Sequence, residues 1–225
     1  MPQTNNIGKV TMMLTAVAGF CDTATFVAGD NIFSAHVTGN FITFAYQMVT
    51  GSDINTWVKL ITFPVFIIAV IIGGRISLKA GNKNKVLLIE AFLLIVAGIL
   101  AFVWHLEKDK LFMYIIVMMT VFALGLQNAF GKIFSKETYG PTTMMTGNVT
   151  QASLDFGALM AGKFSPGDAL ISFKKQMTTI IGFLTGCILG ALVAREFGLA
   201  SILLPGIALL VCYFLSSTPQ DTVQQ

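Results

Sequence analysis

Two short stretches decide the fold: TGNFITFAYQ, from Thr38 to Gln47, and TGNVTQASLD, from Thr146 to Asp155. In each, polar residues recur three and seven positions after the asparagine, a spacing that places them on one face of a helix. These positions are Asn40, Thr43 and Gln47, then Asn148, Gln151 and Asp155. Polar groups inside hydrocarbon are costly unless they face protein or water, so both stripes are predicted to be functional sites.

The composition is that of an integral membrane protein. Of 225 residues, 55% are hydrophobic and only 11% are charged, and the mean hydropathy is +0.77. Soluble domains carry about 25% charged residues. One membrane domain, 1–225, fits this length, and its principal partner is the lipid bilayer. The net charge of +3 is spread over short loops, so no nucleic-acid binding is expected.

Six apolar segments are predicted to cross the membrane, because a spanning helix needs roughly 20 mostly apolar residues. They are 10–28, 57–77, 86–104, 111–130, 176–194 and 199–216. The segments 38–50 and 146–161 are shorter and more polar; they could span, or enter and return as half-helices. With six spans and a cytoplasmic N-terminus, 10 of the 14 basic residues lie inside, against 7 if all eight segments span. The positive-inside rule therefore favours six spans and two cytoplasmic termini.

The two halves of the chain, 7–104 and 111–216, match in three features that come in the same order. Gly19-Phe-Cys-Asp22 is similar to Gly125-Leu-Gln-Asn128, and a Thr-Gly-Asn triplet follows in each half. Next comes a helix with small residues at every fourth position: Ala69, Gly73 and Ser77, then Gly182, Gly186 and Gly190. If each half crosses three times, the halves form an inverted two-fold repeat, as in many transporters.

The two triplets are predicted to bind a small polar or anionic solute. Their threonines are candidate N-caps, their glycines leave room beside backbone amides, and their asparagines add amide groups. Alternatively, these residues only cap two short helices and bond to a neighbouring helix. The predicted solute-binding residues are Thr38, Gly39, Asn40, Gln47, Thr146, Gly147, Asn148 and Gln151.

Four further residues are candidates for ion or proton coupling. Asp22 lies deep in the first helix, where it could carry a proton, pair with a cation, or serve as a hydrogen-bonded packing residue. Its counterpart Asn128 is neutral. His36 could be a proton relay, a pH-sensitive gate or a satisfied interfacial residue. Asp155 could lie near the floor of a cavity or at its aqueous mouth.

Conventional catalytic and metal-binding patterns are missing from the sequence. It has no histidine and cysteine cluster with metal spacing, no Gly-x-Ser-x-Gly elbow and no phosphate-binding glycine loop. No enzymatic activity, metal or cofactor is therefore expected. Glu90 follows the basic loop 79–85, and helix-start electrostatics account for it.

Gly19-Phe-Cys-Asp22, followed by Phe33-Ser-Ala-His-Val-Thr-Gly-Asn40, resembles a signature of the YoaK family of bacterial multi-pass membrane proteins. Gly125-Leu-Gln-Asn-Ala129, leading to Thr146-Gly-Asn148, resembles its second-half counterpart. The resemblance covers essentially the whole chain and implies a bacterial inner-membrane location and a shared fold. It implies no activity, because the family is defined by a domain of unknown function.

Two functions remain open. The first is a small secondary transporter or channel for a small polar or anionic solute, which the predicted inverted repeat favours. The second is a non-transporting membrane scaffold. Its small-residue helix faces would bind other membrane components or a second copy of the chain, giving a homo-oligomer.

Overall fold

All eight predicted helical segments are α-helices in the structure. It is a computed structural model that describes residues 2–51, 54–78, 83–104, 109–135, 138–162 and 167–217. The helices are α1 (Pro2–Ala28), α2 (Gly39–Thr50), α3 (Val58–Ser77), α4 (Lys83–Val103), α5 (Lys110–Ile133), α6 (Thr146–Ala161), α7 (Asp168–Phe197) and α8 (Leu203–Ser217). The described residues contain no β-strand.

Three helix starts differ from the prediction by four residues or more. Helix α1 begins at Pro2 rather than at residue 10. Helix α7 begins at Asp168 rather than at residue 176, so it includes the polar segment before the apolar run. Helix α8 begins at Leu203 rather than at residue 199, because a 3-10 turn, Gly198–Ile202, follows α7. Gly198, at the start of this turn, has φ +58°, a left-handed conformation that glycine adopts without steric cost.

Five helical segments of the described chain are long and apolar enough to cross a membrane. They are Ile7–Ala28, Asn55–Ser77, Lys85–Val103, Lys110–Ile133 and Asp168–Phe214, the last of which contains α7 and most of α8. Helices α2 and α6, with 12 and 16 residues, are not among them. At a rise of about 1.5 Å per residue, α2 is roughly 18 Å long, shorter than a hydrocarbon core of about 30 Å. The chain is an all-α membrane protein.

The small-residue stripe of α7 packs directly on the backbone of α1. A Cβ added at Gly186 would lie 2.0 Å from the carbonyl oxygen of Ala16, and one at Gly190 would lie 2.5 Å from that of Phe20. At Gly182 the nearest atom is the Thr15 hydroxyl, at 2.3 Å. The close approach predicted from the sequence therefore occurs, and it occurs within one chain.

The small residues of α3 pack against α5 in the same way. A Cβ at Gly73 would lie 3.0 Å from Ala129 Cβ, and one at Gly125 would lie 2.6 Å from Ala69 Cβ. Both small-residue faces are thus covered by helices of the same chain.

Helices α4 and α8 form a third close pair, which the sequence spacing did not indicate. A Cβ at Gly98 would lie 2.4 Å from the backbone nitrogen of Leu203, and one at Gly206 would lie 2.8 Å from that of Ile95. These three pairs surround an apolar core, which includes Leu14, Cys21, Leu94, Val117 and Leu124.

We predict that Gly186→Leu destabilises the protein strongly, because the new side chain would overlap the backbone of α1. Overpacking of this kind costs about 1–3 kcal/mol or more. The measurement is the melting temperature in detergent. Gly157→Leu is the control, since no atom lies within 4 Å of a Cβ at that exposed position in α6. Equal melting temperatures for both variants would contradict the observed packing.

Candidate functional site

The segment between α1 and α2 folds back onto the side of α1. Asp22 Oδ1 accepts hydrogen bonds from the backbone N–H of Ala35, at 2.7 Å, and of His36, at 3.2 Å. Its Oδ2 lies 2.6 Å from His36 Nδ1. Asp22 is six residues before the end of α1 at Ala28, which corresponds to about 9 Å along the helix. The connecting segment therefore runs beside the interior of a helix long enough to span the membrane.

Asp22 and His36, two separate candidates in the sequence, form one ion pair. The side chain of Asp22 is 6% exposed and that of His36 is 33% exposed, so the histidine can meet solvent while the carboxylate cannot. The hydrogen bond to Asp22 raises the pKa of His36 above its ordinary value of 6.5, and partial burial opposes that rise. The pair thus lies at the edge of the fold's interior, where the carboxylate favours the protonated form of the imidazole.

Asn40 anchors the same segment at a second point. Its Oδ1 accepts a hydrogen bond from the Phe33 N–H at 2.8 Å, and its Nδ2 donates to the Phe33 carbonyl at 2.8 Å. Nδ2 also donates to Thr62 Oγ1 in α3, at 3.0 Å. Asn40 is fully buried. Both the oxygen and the nitrogen of its side-chain amide are therefore hydrogen-bonded to protein atoms, and the residue connects the start of α2 to α3.

The segment before α6 has contacts of the same kind. Asn148 Nδ2 donates to the carbonyl of Pro141, seven residues earlier, at the longer distance of 3.5 Å. Asn128, the counterpart of Asp22, donates from Nδ2 to Thr143 Oγ1 at 2.6 Å. Both asparagines therefore tie the polypeptide before α6 to its surroundings.

The predicted threonine caps are wrong. Thr38 occupies the N-cap position of α2 but has helical φ and ψ angles, and its side chain makes no capping bond. Met145 occupies the corresponding position for α6, so Thr146 is already inside the helix. A hydrogen-bonded turn precedes α2 instead: the N–H groups of Gly39 and Asn40 donate to the carbonyls of His36 and Val37. Two of the backbone donors expected to meet an anion are thus already used.

The two predicted glycines also differ from each other. A Cβ at Gly39 would lie 3.0 Å from the ring of Phe33, so this glycine is packed against an aromatic side chain. At Gly147, by contrast, no atom of the described residues lies within 4 Å of an added Cβ. Space beside the backbone is therefore present only in the second triplet.

The distal polar residues of the two stripes lie away from the triplets. Gln47 is half-buried in α2. Gln151 Nε2 donates to Asp155 Oδ1 at 2.8 Å, so the second stripe is partly bonded to itself. Asp155 is buried, and its Oδ2 has no hydrogen-bond partner among the described residues.

A cavity of about 390 Å³ lies between the two connecting segments and α3. Three predicted site residues line it: His36 and Thr38 from the first segment, and Thr146 from the first turn of α6, directly after the second segment. The opposite wall is apolar and comes from α3, including Phe63, Phe66 and Ile67. Phe183 of α7 packs edge-on against His36, with ring centroids 5.5 Å apart. The structure therefore brings residues of both triplets to one space, with the Asp22–His36 pair at its wall.

Comparison with known proteins identifies the family of the chain. A family model described as "Protein of unknown function (DUF1275)" matches residues 10–215. The chain belongs to this family. It is also similar to the UPF0700 transmembrane protein YoaK of Bacillus subtilis (strain 168), with 23% identity over 191 residues, or 82% of this chain and 83% of that protein. The resemblance to the YoaK family is therefore confirmed. No solved structure matches the chain.

One buried polar group of this DUF1275 protein was not recognised from its sequence. Lys59 is fully buried, although the loop-charge count treats it as an outer-loop residue. Its Nζ donates to the backbone carbonyl of Asp30 and lies 3.5 Å from Asp30 Oδ2. Tyr114 Oη donates to the same carboxylate at 3.1 Å. This cluster joins the end of α1 to the starts of α3 and α5.

Glu90 is the second such group. It is fully buried in α4, and neither carboxylate oxygen has a hydrogen-bond partner among the described residues. Helix-start electrostatics therefore do not account for it, because a solvated position at the helix end would leave it exposed. Only its place inside an otherwise apolar run of the DUF1275 sequence could have indicated this burial.

We predict that the Asp22–His36 pair makes stability depend on pH. Because the folded pKa of His36 is raised, the stabilisation is complete below the unfolded pKa of about 6.5 and is lost as pH rises through the folded value. Melting curves between pH 5.5 and 8.5 should therefore show a fall in stability for the wild type that is absent in His36→Gln. The sequence has one other histidine, His105, which is the same in both proteins, so their difference isolates His36. Parallel pH profiles would contradict the pairing.

Proposed function

We propose that this protein is a small secondary transporter or channel for a small polar or anionic solute, and that the solute binds in the cavity between the two connecting segments. The observation that carries this proposal is the lining of the cavity: His36, Thr38 and Thr146, from matching motifs in the two halves, meet in one space. Transporter sites are commonly found where two related halves meet at interrupted helices. The proposal includes no catalytic step, metal or cofactor.

The chemistry of the lining suits such a solute. Protonated imidazole is a cationic donor, and hydroxyl groups both donate and accept hydrogen bonds. The apolar α3 wall would contact the non-polar part of the solute. Proton coupling is assigned to the Asp22–His36 pair, since release of the His36 proton would change the charge at the cavity wall. Asn40 and Asn148 hold the connecting segments and act on the solute only through the cavity's shape.

The proposal includes six crossings, with α2 and α6 entering and leaving on one side. The contact of Asp30, after α1, with Lys59 and Tyr114 supports this, because it joins the end of α1 to the starts of α3 and α5. If α2 crossed fully, the end of α1 and the start of α3 would lie on opposite faces. In the second half, the Tyr139 N–H donates to Thr11 Oγ1, near the start of α1. This bond joins the segment after α5 to the start of α1, as the six-span arrangement requires.

Both termini are assigned to the cytoplasm and the protein to a bacterial inner membrane. The excess of basic residues on one side supports this orientation, with 10 of 14 inside under the six-span arrangement.

An inverted repeat is also part of the proposal, and the helix pairing supports it. In the repeat, α1 matches α5, α3 matches α7 and α4 matches α8. The contact between α1 and α7 therefore has its counterpart in the contact between α5 and α3, and the contact between α4 and α8 is its own counterpart. In this last pair, Gly98 meets Leu203 and Gly206 meets Ile95. The same offset along the chain relates Gly98 to Gly206, Ile95 to Leu203, and the first Thr-Gly-Asn triplet to the second. A two-fold relation between the halves accounts for these reciprocal contacts.

The rival function, a scaffold, would bind partners through the small-residue faces of α3 and α7. Those faces pack on α5 and α1, so a homo-oligomer or another membrane partner would have to bind elsewhere. This observation favours transport over the scaffold.

The test combines solute binding with flux. Purified protein is screened by thermal shift against small carboxylates, inorganic anions and polar metabolites, and hits are assayed for uptake into proteoliposomes. A ligand present at 100 times its Kd stabilises the folded state by about 2.7 kcal/mol. We expect at least one hit that is also transported, and we expect Thr38→Leu/Thr146→Leu to abolish its binding.

The matched control is Thr50→Leu/Thr150→Leu, which replaces exposed threonines of α2 and α6 that do not line the cavity. It should keep both binding and flux. A broad screen without hits, or a hit that both double variants bind equally, would overturn the assignment of the cavity.

A further inference from the structure

A second and larger cavity, of about 750 Å³, lies where α1, the segment after α5 and α7 come together. We propose that this cavity binds the phosphate group of an anionic ligand, either a phospholipid headgroup or a soluble phosphate ester. It shares no lining residue with the cavity beside His36. The proposal therefore does not depend on transport.

Two adjacent lysines supply the positive charge. Lys174 and Lys175 of α7 both line the cavity and are exposed. Within the part of the chain that the structure describes, neither forms an ion pair, and no carboxylate lines the cavity. Ammonium groups are common phosphate ligands because they act as compact point charges.

Hydroxyl groups surround these lysines. Ser135, Thr138, Tyr139 and Thr178 line the same cavity, and hydroxyl donors complement the acceptor oxygens of a phosphate. Lys175 Nζ lies 5.8 Å from the centre of the Tyr139 ring, within cation–π range. The lysine is thereby positioned over one wall of the cavity.

The wall that carries Tyr139 is held in place by local hydrogen bonds. The backbone N–H of Tyr139 donates to the buried Thr11 Oγ1 at 3.1 Å, and Thr138 Oγ1 donates to the Gly140 carbonyl at 2.9 Å. Gly140 has φ +111°, which a side chain would strain. The tyrosine ring also packs over Gly8, where an added Cβ would lie 3.1 Å from its hydroxyl.

Apolar side chains accompany the charge. Ile7 of α1 and Ile171 of α7 line the cavity with the lysines. Under the six-span arrangement this end of α1 faces the cytoplasm, where anionic lipid headgroups attract basic residues. If the phosphate of a lipid headgroup binds between the lysines, the first carbons of the acyl chains would contact these isoleucines. A soluble phosphate ester would use the same lysines and hydroxyls.

The experiment measures phosphate binding to the full-length protein in two arms. In the first, inorganic phosphate and glycerol phosphate are titrated against detergent-purified protein by calorimetry. In the second, native mass spectrometry and thermal shift are recorded with anionic phosphatidylglycerol, and zwitterionic phosphatidylcholine, which has no net charge, is the comparison. Lys174→Gln/Lys175→Gln should weaken binding about tenfold or more, because each basic residue near an anionic surface contributes substantially to affinity.

Arg75→Gln/Lys85→Gln is the matched control: it removes the same charge from exposed positions that do not line the cavity. Lys174→Arg/Lys175→Arg, which keeps the charge, should retain binding. Lysine-dependent binding in the first arm identifies a soluble phosphate ligand, and binding in the second arm alone identifies a phospholipid. Absence of binding in both arms, or equal loss in the control, would overturn the proposal.

Discussion

Irregular backbone beside a membrane-spanning helix must find hydrogen-bond partners within the protein, and the rest of this structure depends on how that is done. In hydrocarbon, each unsatisfied N–H or carbonyl group costs several kcal/mol. Asp22 meets this need by accepting from two successive backbone amides, and Asn40 pairs with both the N–H and the carbonyl of Phe33. Two polar side chains thus allow the chain to turn back before α2.

Packing between the helices fixes the positions of Asp22 and Asn40. Helix α1, which carries Asp22, is in backbone contact with α7 through Gly186 and Gly190. Asn40 bonds to Thr62 of α3, and α3 packs closely on α5. Because glycine-mediated contacts bring the helix backbones together, a small shift of one helix would break several contacts at once. The cavity between the connecting segments is therefore bounded on one side by α3, a helix that is held in close contact with α5.

The hydropathy pattern predicts the helices well, since an apolar run of sufficient length has few alternatives in a membrane. Small residues at every fourth position predict the face of α7 that approaches another helix closely, but they do not identify α1 as that helix. Helix starts are less predictable: the extra turns of α7 at Asp168 are polar and carry no hydropathy signal. The family assignment followed from short motifs that retain their order along the chain.

The details of the site could not be derived in the same way, because they depend on contacts between distant residues. The triplet motif suggests caps, yet Thr38 makes no capping bond, and Asn40 instead contacts Thr62, 22 residues away. Lys59 looks like a loop residue until its partner Asp30, 29 residues earlier, is known. The pairing of Asp22 with His36 was within reach, since both residues precede the first triplet in a short stretch. The distances and hydrogen bonds of this pair could nevertheless be obtained only from the folded structure.

In the arrangement that we propose, the two triplet segments meet at a water-accessible cavity inside the membrane domain. Thr38→Cys and Thr146→Cys, in a background without Cys21, Cys187 and Cys212, test it by labelling with a water-soluble thiol reagent in intact membranes. Ala69→Cys, buried between α3 and α5, is the unlabelled reference. We expect rapid labelling at both threonine positions and protection of both by a bound solute. Labelling as slow as at position 69 would contradict it.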